Sequence, residues 1–434
     1  MCREPRRANT SHVRPLALAV IVLLGSCARH VPSAAVTLRI AGVGPLENLG
    51  PQLNSGYSML VKGLVFPLML EPRTEGGWRS QVVQEWARLG PRVYRLKLDP
   101  SIRFSDGSPV RPDDAIASLA AFGIRGTERE GWIEIEPVSD DAPIDTLLLH
   151  VVLFKESPEG ILGTGAFAVV IQDPERIVLR RMKSVAGRIG QVELASYASH
   201  REAFAGALRG EADALLLLDR GEVELLDGVA RFQLVRGPSL HSIAAVFNAQ
   251  LLSRTERKAL ADSVDVGEIG QANGGDCDLE GPPQLVRSKP WAAPLELGAM
   301  GADPAVVRIS LALRRSLGAR GPTVEIDDRQ LGSLMAAGSL DIAVMPMQVW
   351  PDAATGLMFH TGASRNRFGY SNPALDEALD SGDYIRAQRE LAEDPPAIFI
   401  CRRLRNAAID VRVKNPKLGP YDLLQSLPDW EVNP

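Results

Sequence analysis

The sequence predicts an α/β protein of two lobes, each a mixed β-sheet flanked by helices, with a cleft between the lobes. Three observations carry this expectation. At 434 residues the chain is too long for one ordinary core, so two or three lobes are expected. Apolar runs of period two alternate with stretches whose apolar residues recur at helical spacing. A helix–Gly–x–x–Asp–strand unit occurs twice, with Gly210 and Asp213 before Ala214-Leu215 and with Gly338 and Asp341 before Ile342-Ala343, one copy for each lobe.

The N-terminal stretch reads as an export signal. Its first 26 residues hold four Arg and one Glu, and Pro15 to Leu24 is an uninterrupted apolar run, short for a mature membrane-spanning helix. Leu24-Gly25-Ser26-Cys27 closes it and resembles the lipobox of bacterial lipoproteins, which implies lipidation at Cys27 and an extracytoplasmic, membrane-anchored protein. Removing 26 residues leaves 408 and takes a net +3 from the −5 of the whole chain, so the remainder carries −8. A mildly acidic chain with no basic patch interleaved with aromatics excludes nucleic acid as the expected partner. Cys277 and Cys401 then remain in a compartment that permits disulfides, and either pair or stay separate thiols.

Val36 to Val43 opens the folded part as a strand, with Val36, Leu38 and Ile40 on one face. A helix is expected around Ser58 to Phe66. Trp86 is expected to pack in the interior beside alternating strands. Tyr94, Leu96 and Leu98 alternate with Arg95 and Lys97 as a strand with one dry face. After Ile102 and Phe104, Ser105-Asp106-Gly107 supplies a turn whose glycine can take a positive φ. Asp113 and Asp114 then stand at the positive end of a helix through Ala115, Ile116 and Leu119.

The segment from Asp145 to Phe154 reads as strand-like. Gly163-Thr164-Gly165 precedes a strand at Ala166-Phe167 and is expected to turn sharply there. Strands at Glu175 to Arg181 and Gly190 to Leu194 lead to a helix at His200 to Leu208. A strand from Leu240 to Asn248 and a helix from Arg254 to Val264 follow, and then a Gly- and Pro-rich loop over 265–294. Val306, Ile309, Leu313 and Leu317 mark an amphipathic helix with Arg308, Arg314 and Arg315 on its wet side.

These motifs, in this order, resemble the extracytoplasmic solute-binding proteins of ABC transporters, in the oligopeptide, dipeptide and nickel-binding family. Phe104, Asp106, Gly107, Pro109 and Asp114 match that family's "F-x-D-G-x-P-x-x-x-x-D". Gly163-Thr164-Gly165 matches "G-T-G", and Asn366 to Leu379 matches "N-x-x-G-Y-x-N-P-x-x-D-x-L". The resemblance implies a type II periplasmic-binding-protein-like fold with an extra small subdomain. Residues 36–70, 162–241 and 396–434 would form lobe I, 71–161 the small subdomain and 242–395 lobe II. Hinges would lie near Leu240 to Asn248 and Ala397 to Arg405.

It also implies ligand contacts at Phe66, Asn248, Trp350, Asp352 and Asn366, with Trp350 as a stacking wall and Asp352 as the anchor for a peptide amine. The expected partners are a small solute, above all a peptide, a permease and ATPase on separate chains, and the membrane through a lipid anchor. The protein itself is expected to be a monomer without cofactor. Two departures stand out. The family's glutamate is missing from Val65-Phe66-Pro67-Leu68. Its cleft aspartate falls on Val349 or, with a shifted alignment, on Asp352.

Enzymatic motifs are missing: the sequence has no GxSxG elbow, no HExxH helix and no GxxxxGK[ST] loop. His150, His200, His241 and His360 show no metal-ligand spacing and read as surface or core histidines. A diverged sensor on the same fold, and an exported hydrolase, remain the alternatives.

Overall fold

The structure is a computed structural model that describes residues 36–53, 56–73, 78–139, 143–158, 160–271, 277–278, 294–301, 303–319, 328–348 and 352–433. Its backbone is a ten-stranded mixed sheet. From one edge the strands run Phe167–Gln172, Arg176–Arg181, Ile189–Tyr197, Val36–Val43, Ala214–Leu218, Ala397–Asp410, Phe232–Phe247, Ile342–Gln348 and Leu297–Ala299, with Cys277–Asp278 added onto Ala397–Asp410. Two of these strands are much longer than the rest, at 16 residues for Phe232–Phe247 and 14 for Ala397–Asp410.

The length of those two strands organises the interior. Their ends at Phe232 and Asp410 pair beside Ala214–Leu218, and the opposite ends at Val246 and Ala397 pair beside Ile342–Gln348. Around the first end, Leu38, Ile40, Leu64, Phe167, Val192 and Ile409 form one core. Around the second, Ile243, Leu260, Val306, Ile309, Ile342 and Ile400 form another, and Val246, Phe359, Tyr370 and Leu379 pack the sheet's opposite face. Between the cores the register of the two strands breaks, since Pro238 lies opposite Leu404 and Ser242 opposite Arg402. The first strand has two residues more than its partner there, so the sheet bends.

The repeated helix–Gly–x–x–Asp–strand unit is repeated in its hydrogen bonds as well. Gly210 and Gly338 both have positive φ, 89° and 68°. A left-handed residue ends a helix and turns the chain toward the next strand. The Asp213 carboxylate accepts from the N–H of Arg39 at 3.0 Å, and its own N–H donates to the Arg39 carbonyl at 2.7 Å. Asp341 does the same with Glu296, at 2.8 and 2.9 Å. Each aspartate therefore splices its strand onto a parallel neighbour. Asp213 in addition gathers Arg39, Arg231 and Arg412 at 2.8, 3.2 and 2.9 Å.

A smaller antiparallel sheet, ordered Val83–Gly90, Val93–Leu98, Trp132–Pro137 and Ile124–Arg129, carries the Pro112–Ala120 helix on one face. Leu96, Leu119, Ile124, Ile133 and Leu148 fill its own core, against which Trp86 packs. In the stretch before the helix, Gly107 has φ 85°, the Asp106 carboxylate accepts from the Ser108 N–H, and the Asp114 carboxylate accepts from the Arg111 N–H at 2.9 Å.

Three expectations need correction. The 145–154 segment is not a strand throughout: Ile144–Leu148 is a short helix, because Pro143 starts a turn whose carbonyl takes the Thr146 N–H at 3.0 Å. The 265–294 loop begins with a helix, Val266–Gln271, which packs on the second core through Ile269. The glycines of Gly163-Thr164-Gly165 are not there for a left-handed turn, as neither has a positive φ. A Cβ at either would lie 2.0–2.1 Å from a carbonyl oxygen of Val65 or Leu64, so their task is close backbone approach to the Met59–Val65 helix.

Candidate functional site

The residues singled out from the sequence do not converge. Phe66 is 1% exposed and belongs to the first core. Asn248 is fully buried, and its side chain is committed: it donates to the Met335 and Leu340 carbonyls at 2.7 and 3.0 Å and accepts from the Gln250 N–H. Asn366 ties its own loop by donating to the His360 and Tyr370 carbonyls and accepting from the Tyr370 N–H. Side chains bonded in this way brace the backbone and have little left to offer a solute. Asp352 accepts from Gln388 at 2.9 Å, and burial pushes its carboxyl above the usual range. Trp350 and Cys27 lie outside the described residues. Cys277 and Cys401 are joined by a disulfide beside the bend in the sheet.

A different set of polar side chains meets at that bend. The Tyr421 hydroxyl donates to the Leu149 carbonyl at 2.7 Å and accepts from the Gln348 amide at 3.4 Å. Gln348 is the strand partner of His241, and His150 follows Leu149, so both histidines are brought to this place. Asp422, next to Tyr421, rests on the Met59–Val65 helix so closely that a Cβ at Gly63 would lie 1.6 Å from its Oδ2. Lys62, beside Gly63, donates to the Leu53 carbonyl at 2.9 Å. Arg405 comes from the second long strand, opposite Gly237.

These groups keep part of their surface accessible, and burial shifts the titration of five of them. Burial pushes His150 down to about 4, helped by Arg365 and Lys62, and pushes His241 down to about 4, helped by Arg405 and Arg403. Burial lowers Lys62 to about 8 against the pull of Asp422, and raises Asp422 to about 6 against the Leu424 N–H, Arg405 and Lys62. Arg405 is lowered by burial, with Asp422 opposing and Arg403 adding to the shift. The five therefore form one electrostatic chain, His150–Lys62–Asp422–Arg405–His241. Among the described residues no three His, Cys, Asp or Glu side chains gather as a metal-ligand set.

A second set of contacts joins the short helix Ile144–Leu148 to the far core. Asp145 receives Arg88 and, at 2.6 Å, the Tyr384 hydroxyl, while Arg88 also donates to the Asp380 carbonyl at 2.7 Å. The Thr146 hydroxyl donates to the Ala353 carbonyl at 2.6 Å, beside the apolar contact of Leu149 with Ala353 and Ala354. A separate depression of about 480 Å³ on the small sheet is lined by Arg95, Arg129, Glu130, Trp132 and Glu134. Its charges serve one another, with Arg129 3.6 Å from Glu134 and Arg95 stacked 4.5 Å from the Trp132 ring centre.

Two cores joined by two long strands, with free polar groups beside the crossing, define the architecture of the type II periplasmic binding proteins. Solved structures bear this out. The ABC transporter substrate-binding protein CtaP from Listeria monocytogenes superposes with a TM-score of 0.72 at 15% identity, covering 92% of this chain and 99% of that one. NikA from Staphylococcus aureus, in complex with Ni(L-His)2, gives 0.67 at 13% identity over 92% and 100%. The oligopeptide-binding protein AppA from Bacillus subtilis, in complex with a nonapeptide, gives 0.65 at 13% over 92% and 99%. No protein-family model matches the sequence, and no curated protein matches it. At these identities the likeness carries the fold, and it agrees with the family resemblance drawn from the motifs.

Sequence reasoning missed Lys62, His150, His241, Arg405, Tyr421 and Asp422 as a site. One signal was present: Lys62 in MLVKGLV and His150 in LLLHVVL are single polar residues inside apolar runs. A lone polar group in such a run needs a partner or a cavity.

Proposed function

We propose that this chain is the extracytoplasmic solute-binding component of an ABC importer, held at a membrane by a lipid on Cys27. Lobe I, comprising 36–70, 162–241 and 396–434 with the small subdomain 71–161, and lobe II, 242–395, would close on a small solute and present it to a permease served by a separate ATPase. A peptide is the leading candidate for that solute. The observation that carries the reading is the meeting of polar side chains beside the two long strands, where their register breaks between the two cores. His241 meets a hydroxyl through its backbone N–H, which donates to Ser239 at 3.1 Å.

The test is native mass spectrometry of the protein lacking residues 1–27, purified without denaturation. A retained small molecule whose removal expands the protein in X-ray scattering is the expected result. A protein that carries nothing, and whose scattering no solute mixture alters, would refute the reading.

A further inference from the structure

Among the described residues the charges of this cluster are not balanced. Arg405 is partly buried, yet among the described residues its guanidinium has no hydrogen bond and no ion pair. Its neighbour Arg403 is already held by Asp303 at 2.5 Å. Among the described residues Lys62 has one bond, to a backbone carbonyl, and no carboxylate within ion-pair distance. The side chains of His150 and His241 make no hydrogen bond to the described residues. Against these donors stands Asp422, one of whose oxygens already accepts from the Leu424 N–H at 3.1 Å. Of the other nearby acid, Glu71, both oxygens are taken by Arg79, at 2.6 and 2.9 Å.

An arginine withdrawn from water without an acceptor is costly to keep. A guanidinium also presents a planar pair of donors that fits the two oxygens of a carboxylate or phosphate. We propose that this cluster takes an oxyanion-bearing solute, whose negative group is received by Arg405, with Lys62 facing the same Asp422. The inference rests on the solute-binding reading above and narrows it to a ligand class. It also moves the expected point of recognition: Asp352, the anchor anticipated for an amine, is engaged with Gln388, whereas the cluster has an excess of donors. A peptide would enter by its carboxylate end. The two histidines, held neutral, would offer uncharged hydrogen bonds to the rest of the solute.

The experiment uses the protein lacking residues 1–27, stripped of bound solute by unfolding and refolding. Thermal unfolding is followed against sodium succinate, sodium phosphate and the neutral succinamide, with sodium chloride at matched ionic strength as the reference. Ligand binding raises the midpoint in a saturable way, and saturation distinguishes it from the general stabilisation by such salts. Expected is a saturable rise with one or both oxyanions and none with succinamide, with half-saturation weakened about tenfold or more in Arg405→Gln and less in Arg405→Lys. Succinate acting alone marks a carboxylate site, and phosphate acting alone a phosphate site.

The proposal is overturned if no oxyanion exceeds chloride, if succinamide acts like succinate, or if Arg405→Gln titrates like the parent protein. Should Arg405→Gln not fold, Arg405→Lys and Lys62→Met carry the comparison. The two readings fail separately. A retained neutral or cationic solute with flat oxyanion titrations keeps the binding protein and removes the anion site. An Arg405-dependent titration without a retained solute or any closure keeps the anion site and removes the importer reading.

Discussion

A methyl group on residue 63 has no room. Its carbon would lie 1.6 Å from Asp422 Oδ2 and 2.6 Å from Cγ, so Gly63→Ala must displace the carboxylate from the helix. Overpacking of this kind costs about 1–3 kcal/mol, and a urea midpoint lowered by that amount is expected. If the carboxylate is the obstacle, Asp422→Gly restores most of the loss in the double variant. Additive losses would place the strain elsewhere. The histidines give a residue-scale prediction in pH. His150 and His241 titrate near 4 in the folded protein against an ordinary value of 6.5. Between those values the unfolded chain binds protons that the folded one refuses, so these residues lower stability as pH falls from about 6.5 to 4. The loss is on the order of 3 kcal/mol each when complete. Asp422, raised to about 6, acts the other way: the folded form holds its proton longer, so acidification from 6 toward 4 favours folding at that residue. His150→Gln with His241→Gln should therefore lose much less stability between pH 7 and 4.5 than the parent protein, in urea titrations at each pH. Parallel losses would mean that neither imidazole is desolvated as described.

At the scale of elements, the disulfide ties Cys277 to Cys401 across a sequence separation of 124 residues, where Cys277–Asp278 pairs with Arg402–Arg403. A cross-link over so long a loop restricts the unfolded chain strongly, and losing such a bond costs about 2–5 kcal/mol. Urea unfolding with and without reductant should show a drop in that range. An unchanged midpoint would mean that the surrounding strands hold the bend alone. The elements were legible in the sequence to different degrees, for physical reasons. Val36–Val43 and the capped helix after Gly107 follow from alternation and turn chemistry, which act within a few residues. The equivalence of Asp213 and Asp341 was visible as a repeated spacing, although their bonds to Arg39 and Glu296 were not. Arg405 was illegible as a site residue. Alternation places it with Arg403 on what reads as a wet face, and only the tail near Tyr421 and Asp422, folding back on the strand, takes that face out of open solvent. Asn248 and Asn366 were overread because motif position does not reveal which backbone groups a side chain has already satisfied.

At the scale of the whole molecule, the proposed closure would depend on the contacts that join the short helix Ile144–Leu148 to the far core, with Asp145 at their centre. Its side chain is 3% exposed, and it holds Arg88 from the small sheet and Tyr384 from the helix after Gly382. Opening would separate Tyr384 from Asp145 and Arg88 from the Asp380 carbonyl, while the pair Arg88–Asp145 would travel together. Tyr384→Phe therefore removes a contact made only in the closed form, and Asp145→Asn weakens that contact and the internal pair at once. A hydrogen bond to a charged group is worth about 1.5–3 kcal/mol, enough to shift a two-state equilibrium by roughly tenfold or more. In Tyr384→Phe the ligand-free protein should scatter as a more open particle. Its solute affinity should fall by the same factor as the closed population, with fold stability in urea little changed. Asp145→Asn should open the protein too, but with a measurable stability loss, because Arg88 is left partly buried beside a neutral amide. If Tyr384→Phe leaves scattering and affinity unaltered, closure is held by the apolar contact of Leu149 with Ala353 and Ala354 and by the solute itself, and the Asp145 cluster serves only to fix the small sheet.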